Sequence, residues 1–260
     1  MKKDHQSIQK RQNRILELLE ERQVLSVQEL TELLSVSFMT VRRDLQILEE
    51  AGLLVRFHGG ARALQASEAQ ADSTVGICRN LISRYAGSLV CEGQTLLING
   101  SLTAIEILPH IQKIEVTVLT NNVAVVAYQN LKNISIVLTG GALRDNILMG
   151  DIALRSVLDY QADAAFLGCS GISQNGEIQS TIPGEIAINE SMINHADMYY
   201  VLADHTKIGK SMTNASFFLE TPGTVITDYL ASQEVIKKLC ARGMKVVVVN
   251  EDGSTQTYTE

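Results

Sequence analysis

No apolar run in this 260-residue chain reaches the roughly 18 residues that a membrane-spanning helix requires, and no apolar signal segment follows its lysine-containing start. A cytoplasmic protein with no membrane partner is therefore expected. Cysteine is scarce and scattered: Cys78, Cys91, Cys169 and Cys240 form no CxxC, and the five histidines supply no better metal spacing. The expectation is buried free thiols, no metal and no cofactor. An excess of positive charge is missing too, since the net charge is -7. The deficit is uneven. Residues 1–62 carry 10 Lys+Arg against 9 Asp+Glu, and the remainder carries 12 against 20. The acidity belongs to a second, larger part of the chain, which is long enough for two separate cores.

What the first part does contain is two short amphipathic helix patterns in series. Ser26 followed by Glu29 is a capping-box spacing, and Ser37 can cap the next helix through its hydroxyl. In the first pattern Leu30, Leu33 and Leu34 are expected to face a small core that Val36 closes. In the second, Val41, Leu45 and Leu48 recur at spacings of four and three, which leaves Thr40, Arg42, Arg43 and Gln46 on the outer side. A helix of this kind fits the major groove of DNA. Thr40 and Arg42, with Met39 and Arg43, are placed nearest base edges, because arginine forks onto guanine and threonine serves either role. Ser37, beside free helix amides, suits a phosphate.

The next segment, Leu53-Leu-Val-Arg-Phe-His-Gly-Gly-Ala-Arg62, reads as two strands around a tight turn, with Gly59-Gly60 permitting positive φ. Arg56, His58 and Arg62 then stand near the tip, where phosphates or the minor groove would meet them. Helix, turn, helix and wing in this order predict a small α+β winged helix-turn-helix over residues 1–62, bound to double-stranded operator DNA. A nearly neutral module neutralises few phosphates by itself, so several copies acting together are expected, as a dimer or tetramer. Residues 63–74 are small and polar and read as a linker.

From residue 75 to 260 a helical stretch is followed by short apolar runs at Thr95–Ile98, Val116–Leu119, Ile134–Leu138 and Ala164–Leu167, which predicts an α/β domain with a mostly parallel sheet. The tail Met244–Val249 adds a strand. Directly after the first three runs stand Asn99-Gly-Ser-Leu-Thr103, Thr120-Asn-Asn122 and Thr139-Gly-Gly141. Each by itself is an ordinary strand-to-helix turn. Three in register point to one crevice whose glycine-rich turns expose amides to an anion. Ser101 and Thr103 would donate at a helix start, Asn121 and Asn122 would read hydroxyls, and Lys207 in Ala203-Asp-His-Thr-Lys207 would close on a phosphate. Glu92, Glu106, Glu115, Asp145, Asp159, Asp197, Asp228 and Glu234 read as solvated or helix-end charges.

The segments Thr40-Val-Arg-Arg-Asp-Leu45, Gly52-Leu-Leu54 and Arg56-Phe-His-Gly-Gly-Ala61 resemble the DeoR family of bacterial transcriptional repressors. Gly100-Ser101 with Thr103, Thr117-Val-Leu-Thr-Asn121, Val137-Leu-Thr-Gly-Gly141, Asp163–Gly168, Gly171, Glu185 and Leu202-Ala-Asp-His-Thr-Lys207 extend the likeness to nearly the whole chain. The resemblance implies that Ser37, Thr40, Arg42 and Arg43 belong to a recognition helix. It also implies that the second domain senses effector and oligomerises, looks like ribose-5-phosphate isomerase in fold and binds a phosphorylated sugar or sugar acid. The effector site is then expected from Asn99, Gly100, Ser101, Leu102, Thr103, Thr120, Asn121, Asn122, Thr139, Gly140, Gly141, Gly171, Glu185, Asp204 and Lys207.

The first loop departs from the family's Asp-Ser-Gly-Ser-Thr-Thr, with Asn99 where a serine is usual and Leu102 in place of a threonine. The isomerase's acidic Asp-Gly-Ala-Asp-Glu loop corresponds to Phe166–Ile172, which has no carboxylate. No catalytic residue is assigned, because an aldose-ketose isomerase needs a carboxylate base. A repressor of a carbohydrate-utilisation operon that binds without turnover is expected; the alternative is a winged-helix protein that retains isomerase activity.

Overall fold

The structure, a computed structural model, describes residues 2–22, 24–50, 54–57, 59–63, 66–111, 113–210, 215–218 and 223–259. The chain forms two compact units, residues 1–74 and 75–260.

The first unit contains α1 (Lys2–Arg22), β1 (Val24–Ser26), α2 (Val27–Leu34), α3 (Phe38–Glu50), β2 (Leu54–Phe57) and β3 (Gly60–Ala63). The capping box forms: Ser26 Oγ accepts from the Glu29 amide at 3.2 Å, and the Ser26 amide donates to Glu29 Oε2 at 2.8 Å. Val27, Leu30, Val41, Leu45 and Leu48 are buried with Ile15, Leu18 and Leu19 of α1. At about 1.5–3 kcal/mol per buried aliphatic side chain, this small core is what holds the three helices together. Leu33 does not join it and is 44% exposed. Val27, Leu30 and Leu34 define the inward line of α2, and Leu33 lies off that line.

The wing is a three-stranded sheet in the order β1-β3-β2, not the expected two-stranded ribbon. Only Gly59 of the glycine pair has positive φ, at 98°. Gly60 is needed for a different reason: a Cβ there would collide with the Leu25 carbonyl of β1. α3 is tied down by a pair the periodicity did not show. Asp44, whose side chain is 3% exposed, receives Arg11 Nε at 2.5 Å and Arg11 Nη2 at 3.2 Å, with Gln12 Nε2 at 3.4 Å.

The segment read as a linker is helical from Ala66, because α4 runs Ala66–Ser88. The second unit continues with β4 (Thr95–Ile98), α5 (Leu102–Ile105), β5 (Val116–Thr120), β6 (Ile134–Leu138), β7 (Ala142–Arg144), β8 (Ile147–Met149), α6 (Asp151–Leu158), β9 (Ala162–Gly168), β10 (Gly171–Ile172) and β11 (Glu177–Ser180). Then come α7 (Pro183–Asn194), β12 (Ala196–Leu202), β13 (Ala215–Phe218), β14 (Thr224–Asp228), α8 (Gln233–Cys240), β15 (Lys245–Val249) and β16 (Thr255–Tyr258).

Eight strands form one sheet in the order β16-β15-β14-β12-β9-β4-β5-β6, parallel throughout except where β16 meets β15. Alternate residues serve two cores. Leu97, Leu167, Val201 and Val248 pack under α6, α7 and α8, whereas Leu96, Ile98, Phe166 and Val247 pack under α4 and α5. A sheet covered on both faces explains the continuous apolar runs Leu96–Ile98, Ala164–Leu167 and Val246–Val249. Antiparallel pairing also builds the hairpin β7–β8, turned by Asp145 and Asn146 at φ 47° and 66°, and the small sheet β10-β11-β13. Both positive φ values mark the tight primed turn that suits a two-residue hairpin loop. Among the described residues no helix is long and apolar enough to cross a membrane.

Candidate functional site

On the first unit, Ser37 caps α3: its Oγ accepts from the Thr40 amide at 3.2 Å and lies 2.8 Å from Thr40 Oγ1. Met39 is 72% exposed, and Arg42 and Arg43 are exposed beside it. The Arg42 guanidinium rests 5.0 Å from the ring centre of the exposed Phe38 one turn earlier. Such stacking orders a long side chain without hiding its donors. Ser37, Met39, Thr40, Arg42 and Arg43 therefore share the first turns of one helix, and Phe38 is a neighbour the charge pattern did not single out.

In the wing, Arg56 stands opposite Ala61 and Arg62 opposite Val55. Because side chains alternate along a strand, the two arginines leave opposite faces of the hairpin, a division the reading of one tip did not foresee. Arg56 shares its face with the buried Leu54 and Ala61. His58 lies outside the described residues.

On the second unit the chain runs outward from β4 to β6 and returns to the middle at β9, so β4 and β9 flank the point where strand order reverses. Ligands of open α/β sheets bind outside the carboxyl ends of strands at such a point. The loops expected to form the site converge there. Asn99 is buried and bridges the two central strands, with Nδ2 donating to the Gly168 carbonyl at 2.9 Å and Oδ1 accepting from the Gly168 amide at 3.0 Å. Its Nδ2 also donates to Asn189 Oδ1 at 3.1 Å. Asn122, also buried, donates to the Gly100 carbonyl at 3.1 Å and accepts from the Ala124 amide at 2.9 Å. Asn121 donates to the Leu148 carbonyl at 3.2 Å, and its buried Oδ1 has no hydrogen-bond partner. Thr120 Oγ1 accepts from the Asn122 amide at 3.0 Å, while Thr103 and Thr139 are buried. These asparagines and threonines build the walls of the crevice, where the sequence reading had Asn121 and Asn122 reading hydroxyls.

The accessible residues are fewer. Gly100, Ser101, Gly140, Gly141, Glu185 and Lys207 are half-buried, and Leu102 is 63% exposed. Ser101 precedes α5 and its side chain makes no capping bond, so the first amides of that turn have no hydroxyl cap. Gly168 is packed so closely that a Cβ would collide with Ser101 Oγ, and at Gly141 a Cβ would meet the Met149 carbonyl at 2.5 Å. Gly140 and Gly141 have φ of 72° and 114°, which glycine adopts freely. Gly171 is buried in β10, facing the carbonyls of Lys207 and Lys210.

Glu185, in the first turn of α7, reaches over the β4 loop: a Cβ on Gly100 would lie 2.9 Å from its Oε1. Burial pushes its carboxyl up, against the hydrogen bond from Ser180 Oγ at 2.6 Å. Asp204 is wholly buried; burial alone would raise it, but the Thr206 hydroxyl, Lys207 and Arg79 together outweigh this and hold it below the usual aspartate value. Arg79 Nε lies 3.1 Å and Lys207 Nζ 4.0 Å from Asp204 Oδ2. Asp204 is thus the anchor of two cations and not a free reader of hydroxyls. Lys207 stands beside Cys169, whose thiol burial pushes up to about 11. A cavity of about 460 Å³ lies elsewhere, between Tyr85, Asp197, Tyr200 and Lys245 at the amino ends of the strands. The convergent loops and the lysine favour the carboxyl end as the site.

Two cysteines meet the expectation of burial, Cys78 and Cys240, whereas Cys169 is half-buried and Cys91 is exposed. Asp228, read as a surface charge, is wholly buried.

Comparison with known proteins agrees with this division. Residues 11–67 match the DeoR-like helix-turn-helix domain, and residues 78–229 match the DeoR C-terminal sensor domain. The chain is 30% identical over 250 residues to the uncharacterised helix-turn-helix transcriptional regulator YulB of Bacillus subtilis, covering 93% of this chain and 97% of that protein. It is 29% identical to the glycerol-3-phosphate regulon repressor of Escherichia coli, covering 88% of this chain and 98% of that one. Among solved structures, ribose 5-phosphate isomerase from Plasmodium falciparum matches with a TM-score of 0.41 at 10% identity, over 72% of this chain and 99% of that chain. The sensor model alone spans more than half of the chain, and with the helix-turn-helix model before it the protein is a member of the DeoR family of DNA-binding transcriptional regulators.

Proposed function

We propose that this regulator is a repressor of genes for carbohydrate use, and that a phosphorylated sugar or sugar acid held in the β4–β9 crevice changes its affinity for operator DNA. The observation that carries the reading is the convergence of the Gly100–Thr103 loop, Glu185 and Lys207 at the strand-order reversal, with the Gly140-Gly141 turn at the same end of the sheet after β6. The first-turn amides of α5, which the Ser101 side chain leaves uncapped, suit a phosphate, and Lys207 adds a point charge. Glu185, whose carboxyl burial pushes up, is an acceptor suited to a sugar hydroxyl and not to a second anion. The glycerol-3-phosphate regulon repressor supports a phosphorylated metabolite as the chemical class. Binding without turnover is supported by the two carboxylates at hand: Asp204 is occupied by Arg79, Thr206 and Lys207, and Glu185 by Ser180. A screen of phosphorylated and free sugars for thermal stabilisation tests the reading, because a ligand of the folded state raises its stability by mass action. Stabilisation by free sugars alone would refute the phosphate site.

The same reading has the protein act as a homo-oligomer, dimer or tetramer, through the sensor domain. Leu138, Leu143, Ile152 and Leu158 are exposed on β6, β7 and α6 at one edge of the sheet, and a nearly neutral DNA-binding unit profits from being presented twice. Sedimentation of the full chain at micromolar concentration is expected to give at least a dimer. A monomer would remove this part of the proposal.

For the DNA surface, Arg42→Ala is expected to weaken specific operator binding by about 1–3 kcal/mol with the fold intact, since a bidentate arginine–guanine contact contributes that much to discrimination. Equal losses on operator and random DNA would place Arg42 on a phosphate instead.

A further inference from the structure

At the carboxyl ends of β12 and β14, with one member in the same loop as Lys207, three residues distant in sequence come together. Cys78 of α4, His205 just after β12 and Asp228 at the end of β14 bring one ligand atom each within 4.8 Å of one another. Asp228 and Cys78 are wholly buried, and the His205 side chain is 21% exposed. His205 Nδ1 lies 3.0 Å from Asp228 Oδ1 and 3.2 Å from Oδ2. The carboxylate is already oriented: Oδ2 accepts the His205 amide at 2.7 Å and Oδ1 the Leu230 amide at 3.0 Å.

We propose that Cys78, His205 and Asp228 form a binding site for a divalent transition-metal ion of the zinc class. A thiolate, an imidazole and a carboxylate are the donor set that favours zinc and its neighbours over magnesium or calcium. With metal–ligand bonds of about 2.0–2.3 Å, tetrahedral ligand atoms stand about 3.3–3.8 Å apart, so the widest separation closes by about 1 Å while the His205–Asp228 pair opens by a few tenths of an ångström. The two backbone amides on Asp228 supply the outer hydrogen bonds that hold a ligating carboxylate in place. The charges also balance, because a thiolate and a carboxylate neutralise the dication. The ion enters past His205, the one partly exposed member, and a water completes the coordination. Without metal the thiol, pushed up to about 12 mainly by burial and then by Asp228, keeps its proton and donates it to the carboxylate; the ion releases that proton to solvent. Sequence spacing gave no hint of the trio, whose members are contributed by positions 78, 205 and 228.

The test is titration of the reduced full-length protein with Co²⁺, read by absorption. One equivalent is expected to produce a thiolate-to-cobalt charge-transfer band with the strong visible bands of tetrahedral cobalt, and Zn²⁺ is expected to displace it. Cys78→Ser, nearly isosteric and still carrying Cys91, Cys169 and Cys240, is expected to lose the charge-transfer band and at least about 100-fold in Co²⁺ affinity, since even outer-sphere partners contribute 10–100-fold. His205→Gln, at a half-buried position, is expected to lose affinity to a similar degree. Absence of the band in the parent protein, its persistence in Cys78→Ser, or unchanged affinity in His205→Gln would each overturn the site. No sugar enters the measurement, so it stands or falls separately from the effector reading.

Discussion

Lys207→Ala is expected to weaken binding of a phosphorylated sugar about 10- to 100-fold, the worth of a charged hydrogen bond of about 1.5–3 kcal/mol, and to leave a free sugar nearly unaffected. The fold is expected to survive the change. Lys207 Nζ is 4.0 Å from Asp204 Oδ2, but Arg79 Nε is nearer at 3.1 Å and stays, so the buried carboxylate keeps a cationic partner. The β12–β14 end is also held by backbone bonds that alanine preserves, from the Ile172 amide to the carbonyl of residue 207 at 2.9 Å and from the amide of 207 to the Asp204 carbonyl at 2.9 Å. Calorimetry with both ligands checks the expectation, and equal losses for the two would take Lys207 off the phosphate. A switch further requires that ligand favour one arrangement of the protein over another, because equal affinity for both shifts nothing. Operator affinity unchanged at saturating ligand would therefore dispose of the switch even if binding itself is confirmed.

The sheet was largely legible because it is covered on both faces. Segments such as Leu96–Ile98 and Val246–Val249 are uninterrupted apolar runs, and the two capped helices announce themselves by serines at fixed offsets. What escaped was set by tertiary neighbours. β1 is three residues long and exists because β3 pairs with it, with Leu25 opposite Ala61. The hairpin β7–β8 consists of two three-residue strands, the first exposed and the second bonded to the Asn121–Val123 segment, with Asp145 and Asn146 as its local turn signal. At the crevice the loops were readable from their glycines, yet sequence could not tell a residue that faces ligand from one that supports it. Asn99 and Asn122 have the chemistry of sugar readers, but their amides are committed to Gly168, Asn189, Gly100 and Ala124. Asp228 shows the same limit: no local pattern separates a buried aspartate from a surface one.

Asp44→Ala is expected to destabilise the DNA-binding unit by about 3 kcal/mol, at the lower end of what breaking a buried ion pair costs, since Arg11 is 21% exposed and water partly replaces its lost partner. The pair joins α1 to α3, so its loss is also expected to loosen the helix that presents Met39, Thr40, Arg42 and Arg43 and to weaken operator binding beyond the effect of charge. Denaturant unfolding of the full chain, followed through the first transition, measures the loss. Arg11→Met combined with Asp44→Leu separates the causes, because replacing both charges by apolar side chains removes the desolvation penalty along with the attraction. The double variant is expected to recover most of the stability that Asp44→Ala loses. If Asp44→Ala changes stability by less than about 1 kcal/mol, the pair behaves as a screened surface bridge, and the anchoring of α3 then rests on Val41, Leu45 and Leu48 alone.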